Sequence, residues 1–150
     1  MPRLLVVHHT PSPVMQEMLE AVLAGTRDEA IEGVDVVVRP ALTASVVDAL
    51  EADGYLLGTP ANIGYMSGAL KHFFDTIYYP CLEVAKGRPF AAYLHGNLGT
   101  EGAARAIDTI TTGLGWRQVA ATVAVSGQLT RDDRLSLTEL GGTVAATLMG

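Results

Sequence analysis

The chain has 150 residues, 10 basic against 16 acidic, giving a formal charge of −6 with 17% charged and 49% hydrophobic residues. A length of that order buries about 68–70% of the extended chain's surface, so a single domain with a full core is expected over residues 1–150. The sparse, net acidic charge excludes a disordered chain and a nucleic-acid binder built on a basic footprint. The lone Cys81 can form neither an intrachain disulfide nor a cysteine-ligated zinc site. The apolar run at the start, ending at His8 and His9, is too short for a signal peptide, and no stretch of about 18 apolar residues follows. A cytoplasmic protein without membrane insertion is expected.

The elements alternate. Leu4 to Val7 is continuously apolar, the pattern of a strand covered on both faces. From Ser12 the period changes: Met15, Met18, Leu19, Val22 and Leu23 share a helical face, and Pro13 suits the first turn, where its missing N–H costs nothing. Val34 to Val38 predicts the second strand, ended near Pro40, and Thr43 or Ser45 caps a short helix carrying Val46, Val47 and Leu50. Gly54 to Gly58 predicts a third strand that runs into the loop Thr59 to Tyr65. A helix follows from Ser67 to about Tyr78, with Leu70, Phe73, Phe74 and Ile77 in the core and Pro80 closing it.

Phe90 to Leu94 predicts the fourth strand, emptying into His95 to Gly99. Thr100 is expected to cap a helix bearing Ala103, Ile107, Ile110 and Leu114, with Gly113 or Gly115 at its end. Val119 to Val125 is the expected fifth strand. Thr130 and Asp133 have the spacing of a capping box, ahead of a final helix with Leu137, Leu140, Val144 and Leu148 on one side. Strands joined by helical crossovers imply an α/β doubly wound five-stranded parallel sheet with helices on both faces. Such sheets take ligands outside the carboxyl ends of their strands, which singles out the loops at Thr10 to Pro13, Thr59 to Tyr65 and His95 to Gly99.

In the first loop, Thr10 and Ser12 set hydroxyls beside the orphan N–H groups of a helix start. They suit either a phosphate or a simple N-cap. Neither a dinucleotide Gly-x-Gly-x-x-Gly nor a P-loop is present, so one terminal phosphate is the anion this loop can serve. His8, His9, His72 and His95 show no convergent spacing with carboxylates or Cys81, and no metal is expected. His95, at the end of the fourth strand, is the best single side chain for a ligand contact. Lys71 and Asp75 are spaced as a helix ion pair, and Glu101 and Asp108 as helix-surface charges.

The second loop and its helix read Gly58-Thr59-Pro60-Ala61-Asn62-Ile63-Gly64-Tyr65-Met66-Ser67-Gly68-Ala69-Leu70-Lys71-His72-Phe73-Phe74-Asp75. With the strand pattern, this segment resembles the flavodoxin-like flavin reductases, which include NADPH-dependent FMN reductases and WrbA-type quinone reductases. Their related segment has Pro, a few loop residues, Gly, and a helix reading Leu-Lys-x-x-x-Asp. The resemblance implies strand order 2-1-3-4-5 and FMN as cofactor. It places Thr10, Ser12, Val14 and Met15 on the FMN phosphate, Pro60, Ala61, Asn62, Ile63 and Gly64 along the flavin ring, and His95, Gly96, Asn97 and Gly99 at the ring's other edge. Pro13 stands where the WrbA-type loop commonly has Gly, Val14 where it has a polar residue, Asn62 where it often has Arg and Ile63 where it often has an aromatic.

The implied activity is transfer of reducing equivalents from NAD(P)H to a quinone, flavin or similar small acceptor, by a homodimer or homotetramer. A flavodoxin-type electron carrier and a flavodoxin-like binding protein without FMN are the alternatives.

Overall fold

The computed structural model describes residues 1–150. Its elements are β1 (Arg3–His8), α1 (Pro13–Thr26), β2 (Asp35–Pro40), α2 (Val46–Glu51), β3 (Gly54–Asn62), β4 (Tyr65–Met66), α3 (Gly68–Cys81), β5 (Pro89–His95), α4 (Thr100–Leu114), β6 (Arg117–Gln118), β7 (Val123–Val125) and α5 (Arg131–Thr147). The parallel ladder runs β2-β1-β3-β5-β6, β7 pairs with the same edge of β5, and β4 pairs only with β3. With the small β4 set aside, this is the expected flavodoxin-like order.

Alternation along the strands separates two apolar layers. Leu4, Val6, Leu56, Ala91 and Tyr93 meet Met15, Met18 and Val22 of α1 and Leu137, Leu140 and Val144 of α5. Leu5, Val7, Tyr55, Leu57 and Ala92 meet Leu70, Phe73, Phe74 and Ile77 of α3, with Ile107 and Leu114 of α4. Both faces of β1 and β3 are therefore dry, which explains their unbroken apolar runs. Cys81 is buried in the second layer, where burial pushes its thiol upward.

On the first layer the helices meet almost backbone to backbone. A Cβ on Gly25 would lie 1.9 Å from the Thr138 carbonyl oxygen, and one on Gly141 would lie 2.0 Å from that of Val22. Glu17 reaches Arg134 at 3.1 Å one to two turns nearer the starts of the same pair. The two helices thus run side by side in the same direction, with their N-termini together at the carboxyl edge of the sheet.

Several local expectations need correction. The predicted loop at Thr59 to Tyr65 is largely a hairpin: β3 continues to Asn62, and β4 returns with Asn62 opposite Tyr65 and Ala61 opposite Met66. Its turn residues Ile63 and Gly64 have φ of 51° and 72°, both positive as a two-residue type I′ turn requires. Pro80 does not close α3 but sits in its last turn, where its missing N–H removes one bond and the helix still reaches Cys81. Gly99, at φ 77°, is the N-cap of α4, and Thr100 is its first residue, without a capping role. The fifth strand is split. Val119 N donates to Phe90 O at 3.0 Å, but Gln118 Nε2 turns to Ala120 O, also 3.0 Å, and the ladder resumes only at Val123.

Other starts and stops are as read. Ser45 with Asp48 and Thr130 with Asp133 form reciprocal capping boxes, and Gly115 ends α4 at φ 73°.

Candidate functional site at the carboxyl edge

The sheet order makes the ends of β1, β3 and β5 neighbours, and the loops leaving them form one continuous rim. His9 N donates to Gly58 O at 3.0 Å, and Pro60 pairs in register with His95. A Cβ on Gly96 would come within 2.8 Å of the Ala61 Cβ, so the third loop lies directly against the end of β3. The hairpin tip is fitted as closely to α4. Virtual Cβ atoms on Gly99 and Gly102 would fall 2.8 Å from the Gly64 Cα and 2.0 Å from the Gly64 carbonyl oxygen. Gly64 itself has open space at its own Cβ position, so its requirement is the positive φ, while Gly99 and Gly102 supply the room.

In the first loop, Ser12 Oγ accepts from Met15 N at 3.3 Å and caps α1. That bond leaves the Ser12 O–H proton free to donate. Thr10 Oγ1 is 2.7 Å from His8 Nδ1. Pro11 and Pro13 carry no N–H, and with Met15 N engaged, the N–H that α1 still presents in this turn is that of Val14. The Met15 side chain lies in the core rather than on the rim.

Burial pulls the His8 imidazole below its ordinary value of 6.5, and the neighbouring His9 acts in the same direction. The folded state therefore favours the neutral ring, while the unfolded chain takes up its proton first as pH falls. The stability His8 contributes is present above about pH 6.5 and is lost as pH drops through the lower folded value. Melting temperatures followed from pH 8 to pH 5 should fall more steeply for the wild type than for His8→Asn, which keeps a polar group near Thr10. Parallel curves would exclude the assignment.

His95 Nε2 lies 2.7 Å from the Gly127 carbonyl oxygen, an acceptor, so Nε2 carries the proton and donates. In the neutral ring Nδ1 is then an acceptor. Gly127 N in turn donates to Asn97 Oδ1 at 3.2 Å, and Gly127 has φ of 71°. His95 and Asn97 thereby brace a fourth loop, residues 126–130 between β7 and α5. Between it and α1 opens a cleft of about 560 Å³, lined by Pro13, Val14 and Glu17 of α1, His95 and Asn97 after β5, Gly127, Gln128 and Leu129, and Arg134 of α5. That volume is in the range of small-ligand sites.

Three of the residues singled out in the sequence, Val14, His95 and Asn97, meet in this cleft. Gly96 is buried against Ala61, Pro60 is buried in β3, and Asn62, Ile63 and Gly64 stand exposed at the hairpin tip. Sequence reading missed Gly102, Gly127, Gln128 and Arg134. The rule that ligands bind beyond strand carboxyl ends applies equally after the fifth strand, and the Ser126-Gly127 turn signal marks that loop. For Gly102 no local signal exists, because its reason is the Gly64 carbonyl across space.

The residues fit FMN. A capped helix start with a free N–H and two hydroxyls suits one phosphate, and an apolar residue projects fully exposed from the hairpin beside a backbone-lined rim. Fold and site together define a flavodoxin-like α/β protein with a mononucleotide-sized rim at the carboxyl edge of its sheet. Residues 15–130 match the family model for NADPH-dependent FMN reductase, and the chain belongs to that family; FMN is its cofactor.

A flavodoxin of Aquifex aeolicus (strain VF5) is 35% identical over 77 residues, which are 51% of this chain and 40% of that protein. The chain thus matches less than half the length of that relative. The WrbA-like flavodoxin protein from Agrobacterium tumefaciens superposes with a TM-score of 0.78 at 16% identity, covering 99% of this chain and 98% of the other. A flavodoxin from the domain Archaea does so with 0.83 at 21%, covering 97% and 98%. At these identities the superpositions show the shared fold.

Proposed function

We propose that the chain is an FMN-dependent oxidoreductase that draws a hydride from NADPH or NADH and passes reducing equivalents to a quinone, a free flavin or a similar small acceptor. The observation that carries this reading is the glycine-fitted rim: Gly64 against Gly99 and Gly102, and Ala61 against Gly96. It sets a rigid, backbone-lined edge beside the start of α1. When bound there, FMN supplies hydride acceptance and donation at its ring.

The chain's own groups position and tune it. Val14 N–H and the hydroxyls of Ser12 and Thr10 would hold the phosphate, with the positive end of α1 behind them. Backbone groups from Ala61 to Gly64 would line the ring, and Ile63 would offer it an apolar contact. Asn97 and His95 Nδ1 offer polar contacts at the opposite edge. The fully exposed Ile63 and the exposed Leu98 flank this edge with apolar surface suited to a planar acceptor or a second copy of the chain.

The competing reading, an electron carrier with no nicotinamide reaction of its own, draws support from the identity to the Aquifex flavodoxin. Anaerobic mixing of the FMN-loaded protein with NADPH or NADH separates the two. Loss of oxidised-flavin absorbance, followed by turnover on adding a quinone, is the expected result. Rates no faster than those of free FMN would leave the carrier reading in place.

A further inference from the structure

We infer that Arg134 is the cation that anchors a terminal phosphate in the cleft between α1 and α5, and that Glu17 holds it in reserve. The inference rests on the FMN reading above and extends it to a residue on the last helix.

The first loop carries no lysine or arginine for its task. Pro11 and Pro13 supply no N–H, and the donors that remain, the N–H groups of Thr10, Ser12 and Val14 with the Ser12 and Thr10 hydroxyls, are all neutral. A dianionic phosphate monoester held by these neutral donors alone would keep most of its formal charge uncompensated. The compensating charge comes from across the cleft. Arg134 lines the same 560 Å³ space as Val14, and its guanidinium Nη2 lies 3.1 Å from Glu17 Oε1.

The helix packing makes this arrangement specific. Gly25 and Gly141 bring α1 and α5 to backbone contact, which places both N-termini beside one cavity. The positive end of α1 and a guanidinium then face the same space. The first-turn acids of α5 compensate that helix's own dipole but do not line the cleft. Asp133 Oδ2 is bound to Thr130 N at 2.9 Å, and neither Asp132 nor Asp133 is among the lining residues. Glu17 is the acid that lines it. Both partners of the Glu17–Arg134 pair are about half exposed, so the pair is weak and exchanges readily for a phosphate.

This geometry makes two substitutions act with opposite sign. Arg134→Gln should weaken FMN by roughly tenfold while leaving riboflavin, which lacks the phosphate, nearly unchanged. Glu17→Gln should tighten FMN several-fold, because it frees the guanidinium and removes a negative charge from the cleft. A role of the pair in folding alone would weaken both ligands in both variants.

The experiment is fluorescence titration of the apoprotein of each variant with FMN, riboflavin and NADPH, at low and at physiological salt. The expected pattern is a phosphate-dependent, salt-sensitive loss in Arg134→Gln and a gain in Glu17→Gln. Wild-type FMN affinity in Arg134→Gln overturns the inference and leaves the FMN reading intact. A loss confined to NADPH also overturns the assignment, since the cleft would then serve the nicotinamide nucleotide. Failure of wild-type protein to bind FMN overturns both.

Discussion

Gly102→Ala should lower FMN affinity by about a hundredfold while the protein stays folded. A methyl group at this position would lie 2.0 Å from the Gly64 carbonyl oxygen, a backbone atom with no rotamer to yield. The hairpin tip must back away from α4 by roughly 1 Å, and misplacement of that size in a positioned site costs on the order of 100-fold. Two stability terms oppose one another. Replacing a helical glycine by alanine gains about 1 kcal/mol, and overpacking costs about 1–3 kcal/mol. A small net loss, with the far-UV helix signal retained, is therefore expected.

Gly68→Ala is the matched control: it makes the same substitution at the start of a helix on the other side of the hairpin, where nothing lies within 4 Å of the new Cβ. It should melt at the same or a higher temperature and keep its flavin. Desalting of FMN-loaded protein followed by an absorbance scan reads the result. Retention of stoichiometric FMN by Gly102→Ala would show that the hairpin tip does not position the ring.

That pair of glycines also shows what was legible in the chain and what was not. Gly68 and Gly102 look alike in sequence, each near the first turn of an amphipathic helix, and local pattern cannot separate an idle glycine from one pressed on a carbonyl 38 residues away. The strands of the central sheet were readable because their periodicity reports burial on two faces, and the helix starts at Ser12, Ser45, Ser67 and Thr130 because capping is a local chemical signal. The hairpin was not readable. A type I′ turn announces itself by Asn-Gly or Asp-Gly, and here the first turn position is isoleucine, which the rules for positive φ disfavour. The cleft was half readable. Val14, His95 and Asn97 lie on loops that strand order nominates, whereas Arg134 sits inside a helix and reaches the cleft only through the glycine-mediated packing of α5 on α1.

The disfavoured isoleucine leads to the second large effect: Ile63→Asn should make the protein more stable and bind FMN less tightly. A β-branched residue in the left-handed region costs roughly 1–2 kcal/mol, and Ile63 holds φ 51° with its side chain fully exposed, so no burial offsets that cost within the chain. Asparagine before Gly64 is the favoured type I′ pair, and about 1 kcal/mol of stabilisation should raise the melting temperature by about 2–4 °C in a domain of this size. Strain of this kind persists where function uses it, and the use available to an exposed apolar tip on this rim is contact with the flavin ring. Covering part of an isoleucine side chain on binding is worth on the order of 1 kcal/mol, so the variant should lose roughly fivefold in FMN affinity as it gains stability. Calorimetric melting and FMN titration of the same preparation test the two halves together. A lower melting temperature would mean that the turn tolerates isoleucine without strain. Unchanged FMN affinity in a stabilised variant would instead mean that the apolar tip serves the acceptor or a neighbouring subunit, because nothing inside the chain holds that side chain where it stands.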